Sequence, residues 1–352
     1  MSPDEWPIRI PQELGANAPV RETVRDRMSV VRQDLFLPRT HRLTEQEASL
    51  MTAMLHRLVE DVSVDIQAQL PQDWLPANED HGGLIDRLWQ SGLLDIDGLM
   101  ALLLRQADEQ RIAGALKARQ VNRSASVVQP LVSGEDPEIA AAAMAVLIAR
   151  GRRRDRFGQA LIELDDLDRQ SASVLVHTIA AGLCERKPVH ISAREAEHRL
   201  CAAADALVAG HDFTKSLDAL TAALVGGMDA AGLLDDQWIR SAIDVGDIGV
   251  LGHSLARCAG APHSATAAEL LSGDVRRTML VLRVAGMGRE LAGHLLAVLG
   301  DLLGVSADAR ALTLFDSISM DRITAAKSWL TLDPHFKIAL KGLGHGHRDS
   351  GL

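Results

Sequence analysis

The stretch Leu43-Thr44-Glu45-Gln46-Glu47-Ala48 recurs later in the chain as Ile191-Ser192-Ala193-Arg194-Glu195-Ala196. Each copy places a hydroxyl residue three positions before a glutamate, which is the capping-box pattern that begins an α-helix. After Thr44, apolar residues at helical spacing share one face: Ala48, Met51, Leu55 and Leu58. The two stretches therefore predict two amphipathic helices with the same kind of start.

Two further pairs of short segments recur in the same order. The chain repeats Gly92-Leu93-Leu94-Asp95 as Gly232-Leu233-Leu234-Asp235, and Leu131-Val132-Ser133-Gly134 as Leu270-Leu271-Ser272-Gly273. With the capping boxes counted as the first pair, the three separations are 148, 140 and 139 residues. The shared order predicts an internal duplication, with one copy over residues 43–164 and the other over 191–303.

The composition favours an all-α fold. The chain has 352 residues, of which 47% are hydrophobic, but aromatic residues make up only 3% and tyrosine is absent. Alanine and leucine supply much of the hydrophobic fraction, and both are strong helix formers. The aromatic residues that strands prefer are scarce, and no segment reads as a run of β-branched residues between turns.

Local chemistry indicates several individual helices. Asp136-Pro137 predicts a helix start, with the aspartate as N-cap and the proline at the first helical position. The segment Val62–Ile66 alternates like a strand, but it continues the register of the preceding helix and is assigned to it. After an arginine-rich loop we expect a further helix that carries Phe157, Leu161 and Leu164.

Helices of this length with one apolar stripe must pair and stack to bury that stripe. The sequence therefore predicts a HEAT-like helical-repeat array, an α-α superhelix of two similar halves, with two helical-bundle domains as the alternative. The expected organisation is an N-terminal arm (1–42), a first half (43–165), a connecting segment (166–190), a second half (191–305), C-terminal helices (306–341) and a disordered tail (342–352).

Charge and cysteine content narrow the functional classes. The net charge of −10 disfavours nonspecific nucleic-acid binding by the whole molecule. Cys184, Cys201 and Cys258 are an odd number without paired spacing, which suits a reducing cytoplasm rather than a disulfide framework. The N-terminus lacks the pattern of a secretory signal, and the longest apolar run, Ile139–Ala149, is too short to span a bilayer. We expect a cytoplasmic protein.

Three segments carry a resemblance to a known family. Residues 39–64, Ser91 through Arg111, and Leu280-Val281-Leu282-Arg283-Val284-Ala285-Gly286-Met287 resemble a bacterial family of helical-repeat domains of unknown function, common in alphaproteobacteria. The resemblance covers most of the chain after about residue 30. It implies a cytoplasmic location, an all-α fold and an interaction role, and it implies no catalytic residues.

Ser254 lies in a segment that resembles the nucleophile elbow of α/β-hydrolases, Gly252-His253-Ser254-Leu255-Ala256. That motif presents its serine on a strained turn between a strand and a helix. Ala256 stands where the motif has glycine, and no strand is predicted nearby. The competing interpretation is a buried helix with Ile248, Leu251, Leu255 and Cys258 on one face.

The segment Val284-Ala285-Gly286-Met287-Gly288 resembles the glycine turn of a dinucleotide-binding fold. Leu291 occupies the place of the third glycine, and no alternating strand and helix pattern follows. A corner between two helices explains these glycines better.

The densest charge feature is a group of five arginines: Arg150, Arg152, Arg153, Arg154 and Arg156. Guanidinium groups bind carboxylates and phosphates well, so these residues are the candidate contact for an anionic partner, an acidic protein segment or RNA. The competing interpretation is a solvated turn between two helices, where cations near a helix C-terminus are favourable.

The sequence spacing of the candidate metal ligands gives little support for a metal site. His198-x-x-Cys201 with Cys184, and the tail pair His345 and His347, lack the paired spacings of zinc sites. The acidic cluster Asp165, Asp166 and Asp168 is expected at a solvated helix end. We therefore expect no metal and no cofactor.

The sequence predicts a non-enzymatic interaction or scaffold protein that binds another protein, with homodimerisation as a further expectation. Membrane binding is not expected, and nucleic-acid binding is disfavoured. Two alternatives remain: a serine hydrolase that uses Ser254, and an anion- or RNA-binding module that uses the loop from Arg150 to Arg156.

Overall fold

The computed structural model describes residues 43–71, 74, 82–119, 126–305 and 309–333, with a few positions from 336 to 343. The described residues from Glu45 onward belong to one compact unit. The described part contains α1 (Glu45–Ala68), α2 (Gly82–Gln90), α3 (Asp97–Arg119), α4 (Pro137–Arg152), α5 (Arg169–Leu183), α6 (Ala193–Gly210), α7 (Leu217–Ala230), α8 (Asp236–Val245), α9 (Ile248–Ala259), α10 (His263–Leu270), α11 (Val275–Val284), α12 (Arg289–Leu299), α13 (Ala309–Ser317) and α14 (Met320–Leu330).

The all-α prediction is confirmed. Within the described residues the structure has no β-strand, and its one β-type pairing is an isolated antiparallel bridge between Arg154 and Ala160. The described helices include none with the length and apolar character needed to cross a membrane. The segment Val62–Ile66 belongs to α1, as predicted.

Two hydrophobic clusters form the interior, and they alternate along the chain. The first is built from residues 54–107 and 162–204, and the second from residues 112–146 and 224–330. Helix α3 contributes to both clusters, with Leu103 in the first and Ile112 in the second. The long helix α3 therefore joins the two parts of the interior.

The repeated segments have partly matching conformations. Gly92 and Gly232 have φ angles of 70° and 71°, so both Gly-Leu-Leu-Asp segments use the same left-handed glycine to end a helix. The other pair differs, because Gly273 has a φ of 71° whereas Gly134 has a φ of −69°. Helices α1 and α6 begin directly after Thr44 and Ser192, as their capping boxes predict.

The hydrophobic clusters do not follow the two predicted halves. Helices α1 and α6 pack against each other in the first cluster, although they open different copies of the repeat. The predicted connecting segment, 166–190, contains α5, whose Leu175, Val176 and Ile179 are buried in that cluster. The predicted arm lies outside the described residues, and so does the predicted tail apart from Leu343.

One helix prediction is wrong. The segment with Phe157 and Leu161 is a loop, and Leu164 begins a short 3-10 turn. Asp155 accepts hydrogen bonds from the backbone N–H groups of Phe157 and Gln159, and Gly158 has a φ of 82°. These local bonds and the left-handed glycine stabilise a tight turn rather than a helix. By contrast, Asp136 caps α4 as predicted, accepting from the N–H groups of Glu138 and Ile139.

Candidate functional site

A network of charged side chains lies where α3, α7, α9 and α10 meet. Arg105 of α3 makes a bidentate ion pair with Asp218 of α7, with its Nη1 atom 3.0 Å from Asp218 Oδ1. The same Nη1 atom is 3.3 Å from Glu109 Oε1, one turn along α3. Arg105 is 14% exposed, so this guanidinium lies largely out of water with two carboxylates around it.

Two histidines complete the network on the other side of Asp218. His253 and His263 stack with their ring centroids 3.5 Å apart and their planes 12° from parallel. His253 Nε2 donates to Asp218 Oδ1 at 3.3 Å, and His263 Nδ1 lies 3.7 Å from the same oxygen. The His253 side chain is 6% exposed and the His263 side chain 12%.

The local sequence explains why these rings fit. Asp247 is the N-cap of α9, accepting from the N–H of Val250, and it also pairs with both terminal nitrogens of Arg150 on α4. Gly252 leaves room for His263, because a Cβ atom there would lie 2.9 Å from His263 Nε2. The N-terminal part of α9 is therefore held by an ion pair, and its glycine allows the stacked histidines.

Burial and charge shift the pKa values of this network in different directions. Burial raises the pKa of Glu109 to about 7, against the opposing effect of Arg105. Burial and the neighbouring His253 lower the pKa of His263 to about 3. Burial alone would raise the pKa of Asp218, but the hydrogen bond from His253 and the charge of Arg105 hold it below its usual range. At neutral pH, Asp218 is therefore ionised and His263 neutral.

The same cluster offers one oxygen and two nitrogens to a metal ion, since ligand atoms of Asp218, His253 and His263 lie within 4.8 Å of one another. However, Arg105 already neutralises Asp218. Lone pairs lie in the plane of an imidazole ring, so two nearly parallel rings direct them side by side rather than toward one point. This geometry suits a structural ion network that joins four helices better than a metal centre.

The arginine group divides into two structural classes. Arg150 pairs with Asp247, and Arg153 pairs with Asp166 and Glu163 while only 5% exposed. These two residues of the predicted contact therefore form ion pairs inside the protein. Arg152, Arg154 and Arg156 are exposed. Arg152 lies 3.5 Å from Glu163 in a pair open to solvent.

The exposed arginines lie on and beside the loop that replaces the predicted helix, residues 153–161. Arg154 and Ala160 form the isolated bridge, so the loop is a small hairpin with Phe157 near its tip. Phe157 is 74% exposed, and the Arg156 guanidinium stacks over its ring at 4.7 Å. We call residues 152–157 the arginine tip. It presents three guanidinium groups and one aromatic ring to solvent.

An exposed apolar stripe leads along α4 to the arginine tip. Met144 and Ile148 are 44% and 56% exposed, and Arg152 follows at the same four-residue spacing. Residues four apart lie on one face of a helix. The opposite face, with Ile139, Ala143 and Val146, is buried in the second hydrophobic cluster. Helix α4 therefore has two apolar faces: one is buried in the second hydrophobic cluster, and the other is exposed to solvent.

Ser254 lies inside α9 and is fully buried. Its hydroxyl accepts a hydrogen bond of 3.1 Å from the indole N–H of Trp238. Only Gly246 and Asp247 separate α8 from α9, and the described residues contain no strand that could form a nucleophile elbow. The geometry matches the buried-helix interpretation for Ile248, Leu251 and Leu255, whereas Cys258, which was expected on the same buried face, is exposed. Likewise Gly286, with a φ of 76°, ends α11 before α12 and forms the expected corner between helices.

The acidic cluster Asp165, Asp166 and Asp168 makes specific contacts within the fold, which differs from the predicted solvated helix end. Asp166 is 7% exposed on its side chain and pairs with Arg153, so it is not a solvated helix end. Asp165 accepts from the backbone N–H of Asp212, and Asp168 caps α5. His198, Cys201 and Cys184 do not form a group of converging ligands among the described residues. His345 and His347 lie outside the described residues.

The network around Asp218 has no signature in the sequence. Its members are distributed over four helices, and Arg105 is 113 residues from Asp218 in the chain. Single-sequence periodicity carries no signal for such a pairing. Comparisons of the chain with protein-family models, with curated proteins and with solved structures find no match.

Proposed function

We propose that this chain is a non-enzymatic interaction protein whose arginine tip and outer α4 stripe bind an acidic, amphipathic segment of another protein. The proposal rests on one structural feature: the exposed side chains of Arg152, Arg154 and Arg156 lie next to the exposed apolar stripe of α4. An acidic segment would pair with the guanidinium groups, while its apolar face covers Met144 and Ile148.

The base of the arginine tip supports this role. Arg153 is buried beneath the tip, where it donates to Asp166 and to the carbonyl oxygens of Ala149 and Lys215. These bonds anchor the loop at the end of α4. A loop anchored in this way presents its side chains with less loss of conformational entropy on binding.

A protein segment fits better than a nucleic acid. The exposed aromatic of the tip is Phe157 alone, and α4 continues from Arg152 into an apolar stripe rather than a basic face. Binding of single-stranded nucleic acids combines extended basic grooves with several stacking rings. The net charge of −10 also confines the attraction for anions to a local surface.

We infer further that the helices belong to a HEAT-like array in a cytoplasmic protein. The matching conformations of Gly92 and Gly232 support a repeated unit. The three free cysteines, Cys184, Cys201 and Cys258, suit a reducing compartment.

The test uses a labelled helical peptide with glutamates on one face and leucines on the other, and a matched peptide with glutamines in place of glutamates. Fluorescence anisotropy should show tighter binding of the acidic peptide, with binding weakening as salt is raised. The triple variant Arg152→Glu/Arg154→Glu/Arg156→Glu should lose affinity by about threefold to a hundredfold, because each of the three exposed ion pairs contributes about 0.2–1 kcal/mol. Ile148→Asp should weaken binding independently.

A charge-matched control reverses three exposed arginines on other helices, Arg194, Arg276 and Arg310. This control should bind the peptide like the wild type. Equal losses in both triple variants would reduce the effect to net charge and contradict the proposal. Binding of an oligouridylate that is tighter than binding of the peptide, and that only the Arg152 triple variant loses, would favour the nucleic-acid alternative.

A further inference from the structure

A separate cluster of chemically reactive side chains lies between α5 and α6. His177 projects from α5, and Cys201 and Asp205 lie one turn apart on α6. His177 Nε2 is 3.2 Å from Asp205 Oδ1, and Cys201 Sγ is 3.9 Å from Asp205 Oδ2. The nitrogen, sulfur and oxygen that these residues offer lie within 4.8 Å of one another. Because α5 and α6 pack closely together, the backbone holds the three side chains at this spacing.

A hydrogen bond to the backbone orients the ring of His177. Its Nδ1 atom lies 2.8 Å from the backbone carbonyl oxygen of Ser173. A carbonyl oxygen only accepts, so Nδ1 donates this bond, and Nε2 is the ring nitrogen directed at the Asp205 carboxylate. The bond to a backbone carbonyl is also the arrangement that orients histidine ligands in metal sites.

We propose that His177, Cys201 and Asp205 bind a divalent transition-metal ion of the zinc type, with water completing a four-coordinate shell. Thiolate and imidazole ligands favour Zn²⁺ over Mg²⁺ and Ca²⁺, which prefer oxygen ligands. On binding, the Cys201 thiol releases its proton to solvent and coordinates as the thiolate. The site is distinct from the arginine tip and stands independently of the proposed function.

The distances fit this assignment. Tetrahedral zinc with bonds of about 2.0–2.3 Å places its ligand atoms about 3.3–3.6 Å apart. The distance from His177 Nε2 to Asp205 Oδ1, 3.2 Å, is close to this spacing, and Cys201 Sγ lies 3.9 Å from Asp205 Oδ2. The side chains of His177 and Asp205 are 38% and 69% exposed, so an ion and its water have access from solvent.

The cluster around Asp218 differs from this one in its charge partners and in the arrangement of its rings. There Arg105 neutralises the carboxylate and the two rings stack. Around Asp205, by contrast, the described residues include no arginine or lysine in an ion pair with that carboxylate. Among the described residues, no arginine or lysine therefore competes with a metal ion for the Asp205 carboxylate.

The experiment titrates Co²⁺ into the full-length, tag-free chain under reducing conditions. We expect one equivalent to bind, with a near-ultraviolet thiolate-to-cobalt charge-transfer absorption and visible bands of four-coordinate cobalt, and we expect Zn²⁺ to displace it. Cys201→Ser should abolish the charge-transfer absorption. His177→Gln and Asp205→Asn should weaken zinc affinity about tenfold or more, measured by competition with a chromogenic chelator.

Cys258→Ser is the matched control, because Cys258 is also an exposed free cysteine. This control should keep both the absorption and the zinc affinity. His345→Ala/His347→Ala tests the tail histidines in the same way. Circular dichroism of the metal-free variants checks folding, and zinc should raise the melting temperature of the wild type but not of His177→Gln. Absence of the charge-transfer absorption, its survival in Cys201→Ser, or equal zinc affinity in wild type and His177→Gln would overturn the proposal.

Discussion

Arg153 and Asp166 form a buried ion pair at the end of α4, with Arg153 Nε 2.8 Å from Asp166 Oδ2 and 3.0 Å from Oδ1. Asp166 also accepts from the backbone N–H groups of Glu163 and Leu217. One carboxylate therefore connects the end of α4, the segment after the arginine tip and the start of α7. The side chains of Arg153 and Asp166 are 4% and 7% exposed, so neither charge is compensated by water.

Asp166→Ala should lower the free energy of unfolding by about 3–5 kcal/mol, because it leaves the buried Arg153 charge without its main partner. Chemical denaturation at neutral pH measures the change. Arg152→Ala is the control, since its pair with Glu163 is open to solvent and contributes about 1 kcal/mol or less. Similar losses in the two variants would contradict the assignment of Asp166 as the structural connection.

Glu109→Gln should change how stability depends on pH. The pKa of Glu109 is about 7 in the folded protein and 4.5 ordinarily, so the folded state binds the extra proton between these values. This contribution to stability is present below about pH 4.5 and is lost as the pH rises to about 7, by about 1.4 kcal/mol per unit. Glutamine resembles the protonated acid at every pH, so Glu109→Gln does not lose this stability.

The free energy of unfolding of Glu109→Gln minus that of the wild type should therefore increase from pH 4.5 to pH 7. Urea unfolding at four pH values in this range measures it. Glu290→Gln controls for the exchange of carboxylate for amide, because the Glu290 side chain is 89% exposed. A difference that does not vary with pH would contradict the raised pKa of Glu109.

His263→Gln should show the opposite dependence. The pKa of His263 is about 3 in the folded protein and 6.5 ordinarily, so the unfolded chain takes up the proton first as the pH falls. Wild-type stability is therefore lost below about pH 6.5, by about 1.4 kcal/mol per unit, until about pH 3. His263→Gln does not lose this stability, because glutamine does not take up a proton in the unfolded chain.

Relative to the wild type, His263→Gln should gain stability as the pH is lowered from 6.5 to 4.5. Urea unfolding measures the difference, and His190→Gln, at an exposed position, controls for the replacement of imidazole by amide. The opposite signs expected for Glu109 and His263 separate their effects in one pH range. If His263→Gln instead gained stability relative to the wild type as the pH was raised, His263 would be charged in the folded protein.

Local chemistry made the helices predictable, whereas the sites depend on contacts between distant segments. The N-cap Asp136 and the glycine turn at Gly232 act on backbone groups within a few residues, so their patterns are visible in the sequence. The turn around Asp155 is also local, but the apolar spacing of Phe157, Leu161 and Leu164 predicts a helix over the same residues, and the side-chain bonds of Asp155 prevail. Arg105 and Asp218, 113 residues apart, meet through helix packing that no sequence spacing encodes.

Gly252→Ala should destabilise the protein although alanine is the better helix former. A Cβ at this position would lie 2.9 Å from His263 Nε2, and the stacking of His263 on His253 opposes any shift of the ring. Overpacking of this kind costs about 1–3 kcal/mol, against about 1 kcal/mol gained from helix propensity. Gly226→Ala on α7 is the matched variant, because no atom lies within 4 Å of its Cβ, and it should stabilise. Thermal unfolding measures the stability of both variants. If both substitutions raised the melting temperature, the stacked His263 ring would move away from the new Cβ at little cost.

Ser254→Ala should destabilise the protein by about 1–3 kcal/mol, because the buried N–H of Trp238 loses its acceptor. Ser264→Ala, at an exposed position of α10, should have little effect. The same serine should resist a fluorophosphonate probe in the folded wild type, since its hydroxyl is fully buried and no base is hydrogen-bonded to it among the described contacts. Labelling that disappears in Ser254→Ala would revive the hydrolase alternative. Loss of stability without labelling would instead assign Ser254 to the packing of α8 against α9.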